Sequence, residues 1–174
     1  GSFFQTNSSG DRTGAAYIFD ITDTTVGRVG DSVDAEDDAI ALVPTEPAQE
    51  GSFYGSDVAI DGELAVVGWQ GFDSQSNTNV GRAVVFQKDQ AGAWNPIQSL
   101  SGSGTSNSRF GEAVDIQGTT VAVGEAGPAF SNSLGDYVAG RVDLFDSTTG
   151  NLLQSLTPPD DAMRFGSSVS LYED

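Results

Sequence analysis

Short runs in which apolar residues fall on alternate positions recur along the chain, each separated from the next by glycine, asparagine or aspartate. That period of two is the mark of a half-buried β-strand. After Tyr54 comes the alternating stretch "SDVAID", then the turn residues Asp61-Gly62, then "LAVVG", which is apolar enough to be buried on both faces. After Phe110 the same order returns as "EAVDIQ", Gln117-Gly118 and "TVAVG". A glycine at such a turn tolerates the positive φ that two-residue hairpins need. A third strand opens on glycine each time, as "GRAVVF" at Gly81 and "GRVDLF" at Gly140, with "GAAYIF" at Gly14 matching them. A fourth follows as "NPIQSL" at Asn95 and "NLLQSL" at Asn151, and "AIALVP" at Ala39 is its counterpart near the start.

The spacing makes this a repeat. Tyr54-Gly55, Phe110-Gly111 and Phe165-Gly166 lie 56 and then 55 residues apart, a period at which arrays of supersecondary units are expected. Four short antiparallel strands per period describe one blade of a β-propeller. The expected organisation is a single all-β region over 1–174, with a partial blade at 1–50, blades at 51–107 and 108–162, and the first strand of a further blade at 163–174. Propellers close with ~4–8 blades, and about three are present. The last stretch, "RFGSSVSLYED" from Arg164, opens a unit whose later strands do not follow it. Joining the two ends gives an offset of 23 residues from Phe165 to Gly14, against 27 and 30 in the complete units, with "GSFFQTN" left to supply a second strand. Two expectations follow. Either the chain is part of a longer propeller, or the terminal strand of one copy completes the first blade of another. In the second case Phe165, Val169 and Leu171 meet Phe3 and Tyr17 of a neighbour, because an unpaired strand edge must find a partner.

These motifs resemble the FG-GAP repeat family, in the bacterial form related to the integrin α-subunit propeller. In that pattern a Phe-Gly opens the first strand, a glycine-containing turn ends the second, and a Gly-Ser-Ala-Tyr-Val-Phe-like segment forms the third. The likeness runs over nearly the whole chain, with an insertion near Asp23 to Asp38. It implies a propeller used in adhesion or ligand binding at the cell surface. Two departures stand beside it. The Gly-Ala-Pro turn is replaced by "GWQG" at Gly68 and "GEAG" at Gly124, and the Asp-x-Asp-x-Asp-Gly calcium loop is reduced to "IDGE" and "IQGT", too short to wrap an ion.

Composition narrows the chemistry. Asp and Glu number 25 against 7 Lys plus Arg, a formal net charge of −18, so neither nucleic acid nor an anionic membrane surface is an expected partner. No apolar run reaches the ~20 residues of a membrane-spanning helix. The absence of both Cys and His removes disulfides, thiol nucleophiles, a Ser-His-Asp triad and His- or Cys-ligated zinc. With 22 glycines the chain is rich in tight turns. Together with this acidic composition and the lack of a catalytic signature, the FG-GAP resemblance implies a non-enzymatic extracellular or cell-surface protein whose partners are other copies of itself, the remaining blades of a longer chain, carbohydrate or a surface protein.

The rival class is a propeller-fold polysaccharide hydrolase or lyase working through paired carboxylates, although among 25 acidic residues no pair stands out. The densest acidic stretch, "DSVDAEDDAI", offers Asp34, Glu36 and Asp38 as calcium ligands; a solvated insertion is the plainer reading of the same residues. Asp73 and Asp136, in the two long loops, are secondary metal candidates. Four aromatics in those loops, Trp69, Phe72, Phe130 and Tyr137, are candidates for stacking on sugar rings or anchoring an interface, with packing against the next blade as the alternative. Trp94, Phe53, Phe110 and Phe165 read as core residues, and "NSS" at Asn7 fits a glycosylation sequon.

Overall fold

The structure, a computed structural model, describes residues 13–19, 39–47, 49–127, 139–159 and 164–172. Among them there is no helix. Ten strands form antiparallel sheets of two, four and four. The two-stranded piece joins β1 (Tyr17–Phe19) to β2 (Ala39–Ala41). The first four-stranded sheet is a meander of β3 (Tyr54–Asp61), β4 (Leu64–Trp69), β5 (Arg82–Lys88) and β6 (Trp94–Leu100). The second repeats it with β7 (Phe110–Gln117), β8 (Thr120–Glu125), β9 (Arg141–Asp146) and β10 (Leu152–Leu156).

Local chemistry explains the strand boundaries. Asp61 pairs with Leu64 and Gln117 with Thr120, so each hairpin loop has two residues, and its glycine (Gly62 at φ 57°, Gly118 at φ 56°) takes the first loop position, where positive φ is wanted. In β6, Pro96 is accommodated on an edge strand beside a register shift, where the missing N–H breaks no interior ladder.

The sheets stack. On β4, Val66 faces the second sheet, while Ala65, Val67 and Trp69 face the β1–β2 pair, so this strand is buried on both sides as its unbroken apolar run requires. Between the two large sheets lie Val66, Ala83, Val85 and Leu100 on one side and Phe110, Val114, Val121, Val123 and Phe145 on the other. Phe110 and Phe145 meet edge to face, with ring centroids 5.9 Å apart. On the opposite face of the first sheet, Tyr54, Trp69, Phe86 and Val84 pack against Ala16, Leu42 and Ile18. Trp69, Phe86 and Phe110 are fully buried, and each such side chain contributes roughly 1.5–3 kcal/mol relative to exposure.

Candidate functional site

The most distinctive geometry lies along the seam where one sheet's first strand meets the sheet before it. At the start of each first strand the backbone takes an unusual path. Phe53, Arg109 and Arg164 have φ of 55°, 56° and 63°, and the glycines two residues on, Gly55, Gly111 and Gly166, have 82°, 86° and 88°. Non-glycine residues seldom adopt positive φ, so three repetitions mark a built feature. Between them sits the aromatic Tyr54, Phe110 or Phe165. The two glycine-flanked turns bulge the strand, shifting its register against the next one between Tyr54 and Val58 and between Phe110 and Ala113.

That bulge brings the first strand onto the preceding third strand. Gly14 bridges Tyr54 and Gly81 bridges Phe110, both in parallel sense. A Cβ on Gly14, Gly81 or Gly140 would collide with the carbonyl oxygen of Tyr54, Phe110 or Phe165 respectively. Glycine at these places is a packing requirement. Loops are tied down in the same way twice: Gly71 N donates to Ser52 O at 2.9 Å, and Gly127 N donates to Ser108 O at 3.1 Å.

Along the first strands, aspartates stitch neighbours together. Asp57 Oδ1 accepts the N–H of Val58 at 2.9 Å while its Oδ2 accepts that of Val114, also at 2.9 Å. Asp115 does the same with Ile116 at 2.9 Å and Leu171 at 2.6 Å. Asp61 Oδ2 takes Gly118 N at 2.7 Å. An outermost strand leaves a row of backbone donors unsatisfied, and these carboxylates satisfy them from one sheet to the next. The partners lie 55 to 57 residues away when Ser56, whose hydroxyl donates to Gly111 O, is included. That separation is the repeat period.

Residues 164–172 lie on the second sheet through the same contacts. A Cβ on Gly166 would run into the carbonyl of Arg141 and one on Gly124 into the carbonyl of Gly166, Arg164 pairs with Glu112, and Leu171 N donates to Asp115. Phe165, Val169 and Leu171 are each half-buried there. The segment expected to be a strand nevertheless belongs to none of the sheets, because a strand is defined by a ladder partner. Tyr17 is half-buried in β1, and Phe3 lies outside the described residues.

Of the two readings of the loop aromatics, Trp69 and Phe72 follow packing against the neighbouring sheet and not ligand stacking. Trp69 is the last residue of β4 and fully buried, and Phe72 is buried beside it; their rings are 4.8 Å apart, and Tyr54 meets Trp69 at 5.2 Å. The loop turns back at once, with Phe72 N donating to Trp69 O at 3.1 Å, which delivers Phe72 into the core. The Arg82 guanidinium lies 3.9 Å over the Phe72 ring and pairs with Glu46. Neither ring is offered to a ligand. Burial also pushes the Tyr54 phenol far up from its ordinary value, and its hydroxyl donates to Leu42 O at 2.9 Å. Phe53, read as core, is exposed instead, and the core position belongs to Tyr54. Trp94 packs against the apolar cluster as expected. Phe130, Tyr137, Asp34, Glu36, Asp38, Asp136 and Asn7 lie outside the described residues.

Asp73 works as a loop cap, its Oδ1 accepting Asn79 N at 2.7 Å. Among the described residues no group of three or more acidic side chains is arranged to hold a metal ion. One pair of carboxylates does converge. Arg141 sits 2.8 Å from Glu125 Oε2 through Nε, an ion contact without hydrogen-bond alignment, and 2.8 Å from Asp143 Oδ2 through a terminal nitrogen. Both acids are buried, and the hydroxyls of Ser103 and Ser155 donate to Glu125 and Asp143 respectively. A shared arginine and filled acceptor positions make this a structural ion network occupying the place that Trp69, Arg82 and Val84 hold in the first sheet.

A scan against protein-family models finds no match, and a search of curated proteins finds no relative. The FG-GAP likeness therefore stands on the repeated motifs alone.

Proposed function

We propose that the chain is a segment of an FG-GAP-like β-propeller, acting at the cell surface or outside the cell as a scaffold for adhesion and assembly rather than as a catalyst. The observation that carries this reading is the third use of the seam: residues 164–172 repeat the aromatic-glycine turn and the aspartate bridge, yet belong to no sheet. A first strand held in that way pairs in no ladder among the described residues, and strand addition to it would supply both affinity and register. The acidic composition fits a soluble surface that associates through built edges and not by general stickiness.

Measuring mass in solution over a concentration series tests this, comparing the full chain with one lacking 164–172. The full chain is expected to self-associate and the shortened one to be monomeric, with circular dichroism confirming that the shortened chain still folds. A full chain that stays monomeric and folded at high concentration overturns assembly through this segment.

A further inference from the structure

The two outer faces of the stack are each half covered, and the halves are opposite. On the outward face of the first sheet, β1 and β2 cover the later strands, but the first strand is bare: Val58 is 39% and Ile60 55% exposed. Their counterparts one repeat on, Val114 and Ile116, lie under the first strand of the sheet before them and are 4% and 5% exposed. On the outward face of the second sheet, segment 164–172 covers the first strand, but the last strand is bare. Leu153 is 58% exposed and Leu156 is exposed too, where the matching Leu100 is buried and Ile97 packs into the intersheet core. Phe19 on β1 is 58% exposed and looks outward, while Phe86 and Phe145 at the same position of the repeat are buried.

We propose that these faces belong to each other: segment 164–172 of one copy and β1–β2 of a second copy form one shared layer between the second sheet of the first and the first sheet of the second. This rests on the assembly reading above and adds where the contact is made. What one face lacks, an inner strand, the other carries. What the other lacks, outer strands with an apolar face, the first carries in β1 and β2. The interface is thus a continuation of the one already present between the two large sheets, and it joins two different surfaces. Such a contact is head-to-tail and propagates into a ring or a row.

The internal seam also fixes the register. Asp57 and Asp115 each reach the residue one place further along the repeat in the next first strand, Val114 and Leu171. Carried over to the second copy, Ser170 of one chain stands opposite Ile60 of the other.

The chain has no cysteine, so engineered pairs read out without background. Ile60→Cys chains mixed with Ser170→Cys chains are expected to give a reducible cross-linked dimer under mild oxidation, and neither variant is expected to give one alone. In parallel, Ile60→Asp changes an exposed position and is expected to leave the circular dichroism unchanged while weakening association about tenfold or more. A chain that associates but neither cross-links through this pair nor responds to Ile60→Asp overturns the interface and leaves the assembly reading standing. A full chain that is monomeric overturns both.

Discussion

Asp57 and Asp115 do their work with both oxygens, one holding the strand's own next N–H and the other an N–H of the following repeat. Replacing Asp57 by Asn turns one acceptor into a donor facing a donor. The expected cost is about 1–3 kcal/mol in a urea unfolding curve, whereas Glu63→Gln, at an exposed turn, should be silent. Glycines separate the same way. Gly111→Ala would force a Cβ into the Arg82 carbonyl at φ 86°, and Gly62→Ala, with open space around it at φ 57°, meets only backbone strain. Gly111→Ala should therefore be the more destabilising by ~2 kcal/mol or more, since it adds a collision to the 1–3 kcal/mol of an unfavourable φ. The aspartate bridges were within reach of the sequence, because their partners lie one repeat away, but a carboxylate in an acidic chain reads first as solvated surface. Trp69 and Phe72 left two readings open for the opposite reason: polar neighbours suggested an open loop beside the packed alternative, and the turn that folds Phe72 back onto Trp69 has no local signature.

The strands themselves were legible as elements, since apolar alternation and turn glycines recur at one period, and β3 to β10 fall where those signals lie. Segment 164–172 differs because its alternation is local but a ladder is not. Two matching loops also carry a pH dependence. Asp89 caps the β5–β6 loop, accepting the N–H groups of Ala93 and Ala91 at 2.9 Å, and Asn95 reaches its other oxygen at 3.1 Å. Asp146 caps the β9–β10 loop, accepting Thr149 N at 2.7 Å, the Thr149 hydroxyl at 2.9 Å and Thr148 N at 3.0 Å. The Ala93 contact for Asp89 and the Thr149 backbone contact for Asp146 hold these carboxyls below the ordinary aspartate value of 3.8. Because each is more acidic folded than unfolded, its contribution is complete above that ordinary value and is lost as pH falls through the lowered one. Melting temperature should therefore drop as pH is taken below about 4. In Asp146→Asn that acid limb should be shallower, because the variant lacks the contribution at pH 7 and approaches the wild-type melting temperature once Asp146 is protonated.

At the scale of the whole molecule, charge and contact oppose each other. Each of the four described arginines already pairs with a carboxylate of its own chain, Arg82 with Glu46, Arg109 and Arg164 with Glu112, and Arg141 with Glu125 and Asp143. Among the described residues that leaves Lys88 to attract a second copy, and two chains of formal charge −18 repel as they approach. An interface of apolar side chains and backbone hydrogen bonds must overcome that repulsion, so weakening the repulsion should strengthen it. Raising salt from about 0.01 M to 1 M shortens the screening distance from ~30 to ~3 Å. Sedimentation velocity across that range should show association growing with ionic strength. Association that instead dissolves in salt would mean that intermolecular ion pairs hold the copies together, and the contact would then have to be sought away from Val58, Ile60 and Phe19.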